Sequence, residues 1–434
     1  MDAGSANDDA DGETEEQAFS DSSDHQQCEE DNDVLEVVTA FADFQPTDDS
    51  QLRLQIGDEL AIISKSSADW WWARKGECTG YVPTNHITSL SDEGGGWQDG
   101  EYFSSYNTMK LHLEMLQDKP RNTAYCTAFQ QNQHRIQGKV VLDIGCGTGI
   151  LSMFAVKQGQ AAQVFAVEAS EFAKQTQALV DANGMSDSIH VLEGKVESVE
   201  LPQQVDLIVS EWMGTFLLFE WMIESVILAR DRWLKEDGVI WPSHAALYFV
   251  PCSAEELYQS KVGFWESVHG FDFSSLVPLA KEEFFHTPLY NHIMKQEDCL
   301  SLPQRILQLD MKTVTGSELE EVTHQFNYTV SKAGTLHGFA SWFQVDFAGY
   351  PSNNSKPCIS LNTGPDYPLT HWKHTLFMMD SPITVEQGDR IEGAVIIQRN
   401  KVWRRHMRVN LEYSVTSTNT NDIQSFAKLF PIWR

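Results

Sequence analysis

A chain of 434 residues with 41% hydrophobic content, 13 Trp and 23 Phe can build roughly three domains with substantial cores. Its formal net charge of -31 is the wrong sign for gripping phosphates, so basic partners are expected and direct nucleic-acid binding is not. The seven scattered cysteines show neither zinc spacing nor a disulfide framework, and the longest apolar region, 207–229, is broken by Glu211, Glu220 and Glu224, so neither a metal site nor a membrane span is expected.

Residues 1–33 hold 13 Asp plus Glu and no Lys or Arg, which predicts a disordered acidic tail. The N-terminal stretch is unlike a secretory signal or transit peptide, and residence in nucleus and cytoplasm is the expectation. Over 34–90 short alternating apolar runs (Val34, Val37, Leu52, Leu54, Ile56, Leu60, Ile62, Val82, Ile87) are cut by turns at Pro46, Gly57-Asp58, Gly76 and Gly80, as in a small all-β unit. AFADF (40–44), acidic Asp48 and Asp49, ADWWWAR (68–74) and GYVPTNHI (80–87) make this unit resemble an SH3 domain. The resemblance implies that proline-rich proteins bind a groove built from Phe44, Trp70, Pro83 and Asn85. Two usual groove tyrosines are replaced by Ala42 and His86, and Trp71 and Trp72 are read as packing or exposed aromatics.

A linker covers 91–100. Tyr102, Tyr106, Met109, Leu113 and Leu116 form a helical stripe that stops before Pro120, and a second helix is expected over 122–133. From Lys139 strands and helices alternate: strands at 140–142, 164–167, 189–192, 205–209 and 239–240, helices at 150–156, 172–180 and 221–234. This is the pattern of a doubly wound parallel sheet, giving a domain over 101–242. Beyond Pro242 strands dominate, as at 326–330, 339–347, 391–397 and 408–415, which predicts a β-barrel or sandwich over 243–434. An aromatic, more helical insert over 255–285 (Tyr258, Phe264, Trp265, Phe271) interrupts it and is a candidate protein-contact surface.

The expected fold is therefore multidomain: a small SH3-like β-barrel, a doubly wound parallel-sheet domain and a C-terminal β-barrel with a helical arm. In LDIGCGTG (142–149), Gly145 and Gly147 let the backbone turn sharply and approach a ligand, while Cys146 within the turn needs no thiol chemistry. Glu168, 19 residues after Gly149, can accept both hydroxyls of a ribose. Such a turn also occurs in dinucleotide-binding proteins. Asp143, an anion beside the turn, and the G-x-G-x-G spacing favour a sulfonium or ammonium ligand, hence S-adenosylmethionine, over a pyrophosphate.

The stretch SEWMGTFLLFEW (210–221) places Glu211 and Glu220 nine positions apart among Trp, Phe and Leu. Isolated carboxylates are expensive in such company, so the pair suggests a cation to be held. From Tyr102 onward the chain resembles the protein arginine methyltransferases. The matching segments are YFSSY (102–106), HLEML (112–116), LDIGCGTGILSMFA (142–155), AVEAS (166–170), KVESVELP (195–202), SEWMG with Phe219-Glu220, and THW (370–372).

The resemblance implies that Glu211 and Glu220 clamp a substrate guanidinium, that Glu168 holds the cofactor ribose, and that Gly145, Cys146, Gly147 and Asp143 shape the cofactor pocket. Arg121 would meet the methionine carboxylate, and Val196 and Glu197 would lie by the adenine. Tyr102, Phe103 and Tyr106 would sit on a helix closing over the cofactor, supported by His112. Met115, His371 and Trp372 would border the substrate, with His371 and Asp118 as a proton-accepting couple. The 255–285 insert would be a dimerisation arm, giving a head-to-tail homodimer. Taken alone, His371 would more often be a barrel-core or turn histidine, and Met115 on its apolar stripe would ordinarily be core.

The chemistry implied joins two cations, a sulfonium and an arginine. At 4 Å and an effective dielectric near 20 they repel by about 4 kcal/mol, roughly a thousandfold in rate. Two carboxylates cancel that repulsion and fix the planar guanidinium by forked hydrogen bonds. A histidine–aspartate couple or one glutamate can take the proton lost, with S-adenosylhomocysteine left behind. Arginine-rich proteins, among them histones or RNA-binding proteins, are the expected substrates, and Met115 with His371 suggests the monomethyl and asymmetric dimethyl (type I) products. The alternatives are a transcriptional adaptor working through the SH3-like unit with weak catalysis, and a small-molecule methyltransferase, which the paired glutamates and the large β-domain disfavour.

Overall fold

This computed structural model describes residues 34–40, 43–46, 48, 50–55, 57–67, 70–76, 78–89, 96–348 and 358–433. The acidic tail, Ala42, the side chain of Asn85 and linker residues 91–95 lie outside the described residues. The chain divides into two units, Met1–Ser91 and Asp92–Arg434.

The first unit is a five-stranded antiparallel sheet of β1 (Glu36–Ala40), β2 (Glu59–Ser64), β3 (Trp70–Lys75), β4 (Cys78–Pro83) and β5 (Ile87–Ser89), in the order β4-β3-β2-β1-β5. Alternation along the strands sends Val38, Ala40, Leu60, Ile62, Ala73 and Val82 into one core. Phe44 meets Trp70 at 5.7 Å and His86 at 5.5 Å, both edge-on, so the three rings form one aromatic surface. Trp71 packs partly on the core, and Trp72 lies edge-on to Tyr81.

The second unit opens with helices α1 (Gly96–Ser105), α2 (Met109–Gln117), α3 (Lys119–Gln131) and α4 (Gln133–Ile136). The single helical stripe expected over 102–116 is thus broken after Ser105. Asp118 explains the next boundary: its side chain caps α3 by accepting from the Arg121 N–H, with Pro120 in the first turn.

A parallel sheet follows, built from β6 (Val140–Ile144), β7 (Gln163–Glu168), β8 (Ile189–Glu193), β9 (Val205–Ser210) and β10 (Leu234–Trp241), with α5 (Ile150–Lys157), α6 (Ala173–Ala182) and α7 (Ile223–Trp233) between strands. Its order, β10-β9-β6-β7-β8, reverses direction at β6. Such a reversal opens a crevice beyond the carboxyl ends of the strands. The glycine turn leaves β6 there, Glu168 ends β7, and Glu211 follows β9.

The C-terminal half contains β11 (His244–Cys252), α8 (Glu255–Lys261), α9 (Val277–Phe285), β12 (Leu289–His292), β13 (Gln304–Asp310), β14 (Glu321–Thr329), β15 (Gly334–Phe347), β16 (Ile359–Asn362), β17 (His374–Val385), β18 (Arg390–Arg399), β19 (Met407–Thr416) and β20 (Ile423–Ile432). These strands form a six-stranded sheet around β15 and a four-stranded sheet β14-β18-β19-β20. Phe249, Phe339, Phe377 and Phe430 fill the space between them and continue into the core of the parallel sheet. The α8–α9 insert packs Val262 and Phe285 into a second small core shared with Val250, Ala340 and Leu376 of the six-stranded sheet, and leaves Phe264, Phe271 and Leu279 exposed.

Candidate active site

Gly145 and Gly147 have φ of 65° and 50°, a backbone region that side chains resist. A Cβ at Gly145 would lie 2.2 Å from Met222 Cε, whereas one at Gly147 would only touch His112 Cε1 at 3.4 Å, so there the positive φ is what calls for glycine. The turn is therefore a cradle that only glycine leaves open. Glu168 is fixed beside it: Oε2 accepts from the Gly147 N–H at 2.8 Å and Oε1 from the Ser170 N–H at 2.9 Å.

Asp143 departs from its expected place. It is fully buried beneath the turn, accepts the Ser152 hydroxyl on Oδ2 at 2.6 Å, and is not among the cavity-lining residues. β6 is the central strand and is buried on both faces from Val141 to Ile144, so Asp143 lies in the packed interior rather than on the cavity wall. Burial pushes its carboxyl up to about 7, against the pull of Ser152.

The loop from β9 to α7 carries both glutamates. Phe216, Leu217, Glu220 and Trp221 all have positive φ, between 52° and 75°. Non-glycine residues hold such a backbone only where the surroundings enforce it, commonly at functional sites. Here Trp212, Met213, Phe216, Leu217, Leu218, Phe219 and Trp221 are all buried, and Trp372 Nε1 donates to the Met213 carbonyl at 2.8 Å. Apolar burial thus anchors the loop and leaves its two carboxylates to the cavity.

Each glutamate has a fixed partner. Arg121 Nε and Nη2 both donate to Glu211 Oε2, at 3.3 and 3.2 Å, while the Tyr106 hydroxyl donates to Glu220 Oε2 at 2.8 Å. Burial raises the Glu211 pKa above its ordinary value, although Arg121 opposes the rise. Burial also raises Tyr106, reinforced by its carboxylate neighbours, so it stays a phenol and a donor.

His371 Nδ1 lies 2.7 Å from Asp118 Oδ2, which also accepts the His371 backbone N–H at 2.9 Å. Burial acts to raise Asp118, but the bonds from His371 and Arg121 outweigh it and hold the carboxyl below its usual value. An anionic Asp118 keeps the proton on Nδ1 and leaves Nε2 able to accept one.

One cavity of about 390 Å³ gathers these groups. Of the residues singled out in the sequence, Tyr102, Phe103, Tyr106, His112, Met115, Arg121, Gly145, Cys146, Gly147, Glu168, Val196, Glu197, Glu211, Glu220, His371 and Trp372 line it. Asp118 stands behind His371. The structure adds Lys195, Met222, Tyr290, Arg405 and Trp433, which sequence reasoning missed. Only Lys195, the first residue of the segment KVESVELP, and Met222, directly after the loop of the two glutamates, were within reach of a sequence signal.

The donor set suits a ribose-bearing cation. Glu168 is oriented at the cradle, and His112 Nδ1 is buried without a hydrogen-bond partner among the described residues, beside Gly147. Among the described residues no group of His, Cys, Asp and Glu is placed to hold a metal, and no helix is long and apolar enough to cross a membrane.

Comparison with known proteins agrees with this architecture. Family models match for the SH3 domain at residues 39–84, a methyltransferase domain at 141–238 and the arginine methyltransferase oligomerization subdomain at 243–418. Protein arginine N-methyltransferase 2 of Homo sapiens is 52% identical over 403 residues, spanning 92% of this chain and 93% of that protein. Its Xenopus tropicalis counterpart is 46% identical over 94% of this chain and 95% of the relative. The structure of Arabidopsis thaliana protein arginine methyltransferase 10 matches with a TM-score of 0.69 at 34% identity, over 76% of this chain and 100% of that one. A Trypanosoma brucei PRMT1 enzyme–prozyme heterotetrameric complex with AdoHcy matches with a TM-score of 0.68 at 32% identity, over the same shares. With its glycine cradle and paired glutamates in one cavity, the chain belongs to the protein arginine N-methyltransferase family.

Proposed function

We propose that this chain transfers methyl groups from S-adenosylmethionine to guanidinium nitrogens of arginine in basic proteins. The observation that carries the reading is the convergence of Glu211 and Glu220 with the Gly145–Gly147 cradle and Glu168 in one cavity. When bound, S-adenosylmethionine supplies an electrophilic methyl on a sulfonium. Glu168 and the glycine turn would hold its ribose end, and His112 and Arg121, which line the same cavity, would meet its amino-acid end.

Glu211 and Glu220 neutralise the incoming guanidinium and fix its plane, each carboxylate held by its partner, Arg121 or Tyr106. Glu211 Oε1 takes neither Arg121 bond, so it remains an acceptor for substrate. His371, polarised by Asp118, receives the proton released as the nitrogen is methylated.

Met115 and His371 on the wall support the type I outcome, monomethylarginine followed by asymmetric dimethylarginine. The exposed Phe264, Phe271 and Leu279 of the α8–α9 arm support a head-to-tail homodimer. The ring surface of Phe44, Trp70 and His86 supports docking of proline-rich partners.

Incubating the full chain with labelled S-adenosylmethionine and a glycine–arginine-rich peptide tests the reading. Mass spectrometry should find monomethyl and asymmetric dimethyl arginine. Symmetric product would overturn the type I assignment, and label on no arginine would overturn the function.

A further inference from the structure

Arg405 lies in the loop joining β18 to β19, far in sequence from every motif, yet it lines the cavity. It grips the Glu220 backbone on both sides of the Cα. The Glu220 N–H donates to the Arg405 carbonyl at 3.2 Å, and Arg405 Nη1 donates to the Glu220 carbonyl at 2.8 Å. Glu220 has a φ of 75°, so its carboxylate points where it does only while something holds that backbone.

The same guanidinium reaches helix α1. Nε and Nη2 both donate to Asp99 Oδ1, at 3.0 and 2.5 Å, and the group sits 3.9 Å from the centre of the Tyr102 ring. Gln98 extends the seam, donating to the Val402 carbonyl at 2.9 Å and accepting from the Arg404 N–H at 3.0 Å. Asp99 also takes Lys195 on Oδ2 at 2.6 Å, beside Val196 and Glu197. Beyond the end of α1, Tyr106 bonds the Glu220 carboxylate. The helix that covers the cofactor cradle is therefore joined to Glu220 twice, through Tyr106 to its side chain and through Arg405 to its backbone.

We propose that Arg405 is a positioning residue: its guanidinium ties the seat of α1 beside the cofactor cradle to the set of the Glu220 backbone, so that the cofactor and arginine sites are linked through this one side chain. The inference rests on the functional reading above and adds to it the residue that carries the link between the two sites. Arginine is suited to this position because its fork serves the Asp99 carboxylate and the Glu220 carbonyl at once; a lysine ammonium serves one of them well.

The test compares the full chain with R405A, R405K and D99N. Affinity for a glycine–arginine-rich peptide is measured by calorimetry with and without saturating S-adenosylhomocysteine. In the parent chain the nucleoside should tighten peptide binding by roughly tenfold. R405A and D99N should lose that gain, and R405K should lose it while keeping near-parental affinity for S-adenosylhomocysteine. Turnover should follow as a fall in kcat for R405K with little change in the KM for S-adenosylmethionine. Melting temperatures separate these effects from general unfolding, and if R405A fails to fold, R405K and D99N decide the matter. A parental coupling ratio and kcat in R405K and D99N would overturn the inference. The parent chain's own methyl transfer reports on the functional reading, whereas the coupling ratio reports on Arg405.

Discussion

The Tyr106 hydroxyl donates to Glu220 Oε2 at 2.8 Å, tying the segment that follows α1 to one of the two carboxylates that receive substrate. A hydrogen bond to a charged acceptor contributes about 1.5–3 kcal/mol. Tyr106→Phe should therefore lower kcat/KM for an arginine peptide by roughly tenfold to a hundredfold. Steady-state kinetics with varied peptide would check this, and an unchanged kcat/KM would show that Glu220 is held without Tyr106.

Glu211 must be an anion to hold the guanidinium, and its pKa is raised by burial while Arg121 restrains the rise. Activity should accordingly fall with acid at a pH above the ordinary glutamate value of about 4.3. Replacing Arg121 with Ala removes the restraint, so the acidic limb should move to still higher pH. A pH–rate profile of both proteins measures it, and coincident limbs would contradict the assignment.

Asp143 gives a stability prediction. Its folded pKa of about 7 stands above the ordinary aspartate value. Between about pH 4 and 7 the folded chain keeps a proton that the unfolded chain releases, so stability is lost as pH rises through that window. The full loss is on the order of 4 kcal/mol above pH 7. Asp143→Asn should remove this slope, and urea midpoints measured across pH would reveal it; parallel profiles for both proteins would count against it.

Asp118 accepts both the ring and the backbone N–H of His371 and stays anionic. Asp118→Asn removes the charge that orients the imidazole. We expect kcat to fall by roughly a hundredfold, within the usual range for a general base, with cofactor affinity little changed. Single-turnover rates beside calorimetric cofactor titration would separate these quantities.

The sequence carried the site wherever its residues cluster in short segments. Strand–glycine turn–helix, the carboxylate ending the next strand and two glutamates in an apolar loop each occupy fewer than twenty consecutive residues, and local periodicity sets their elements. Arg405, Tyr290 and Trp433 were illegible because the β-sheets, not local spacing, deliver them to the cavity. Asp143 misled for a different reason: proximity to the glycines suggested exposure to the ligand, but the central strand β6 is covered on both faces and keeps it buried. The break after Ser105 was hidden because Tyr106 and Met109 keep helical spacing across a turn. Helix α7 begins at Ile223 rather than at Trp221, because Glu220 and Trp221 are held at positive φ.

Two carboxylates in one cavity let two cations meet. Glu220→Gln is the most direct probe, since it removes charge while preserving shape. Calorimetry with S-adenosylhomocysteine and methyl transfer from labelled S-adenosylmethionine to an arginine peptide should be measured on the same preparation. Near-parental nucleoside binding with methyl transfer lost is the predicted result; near-parental methyl transfer would contradict it.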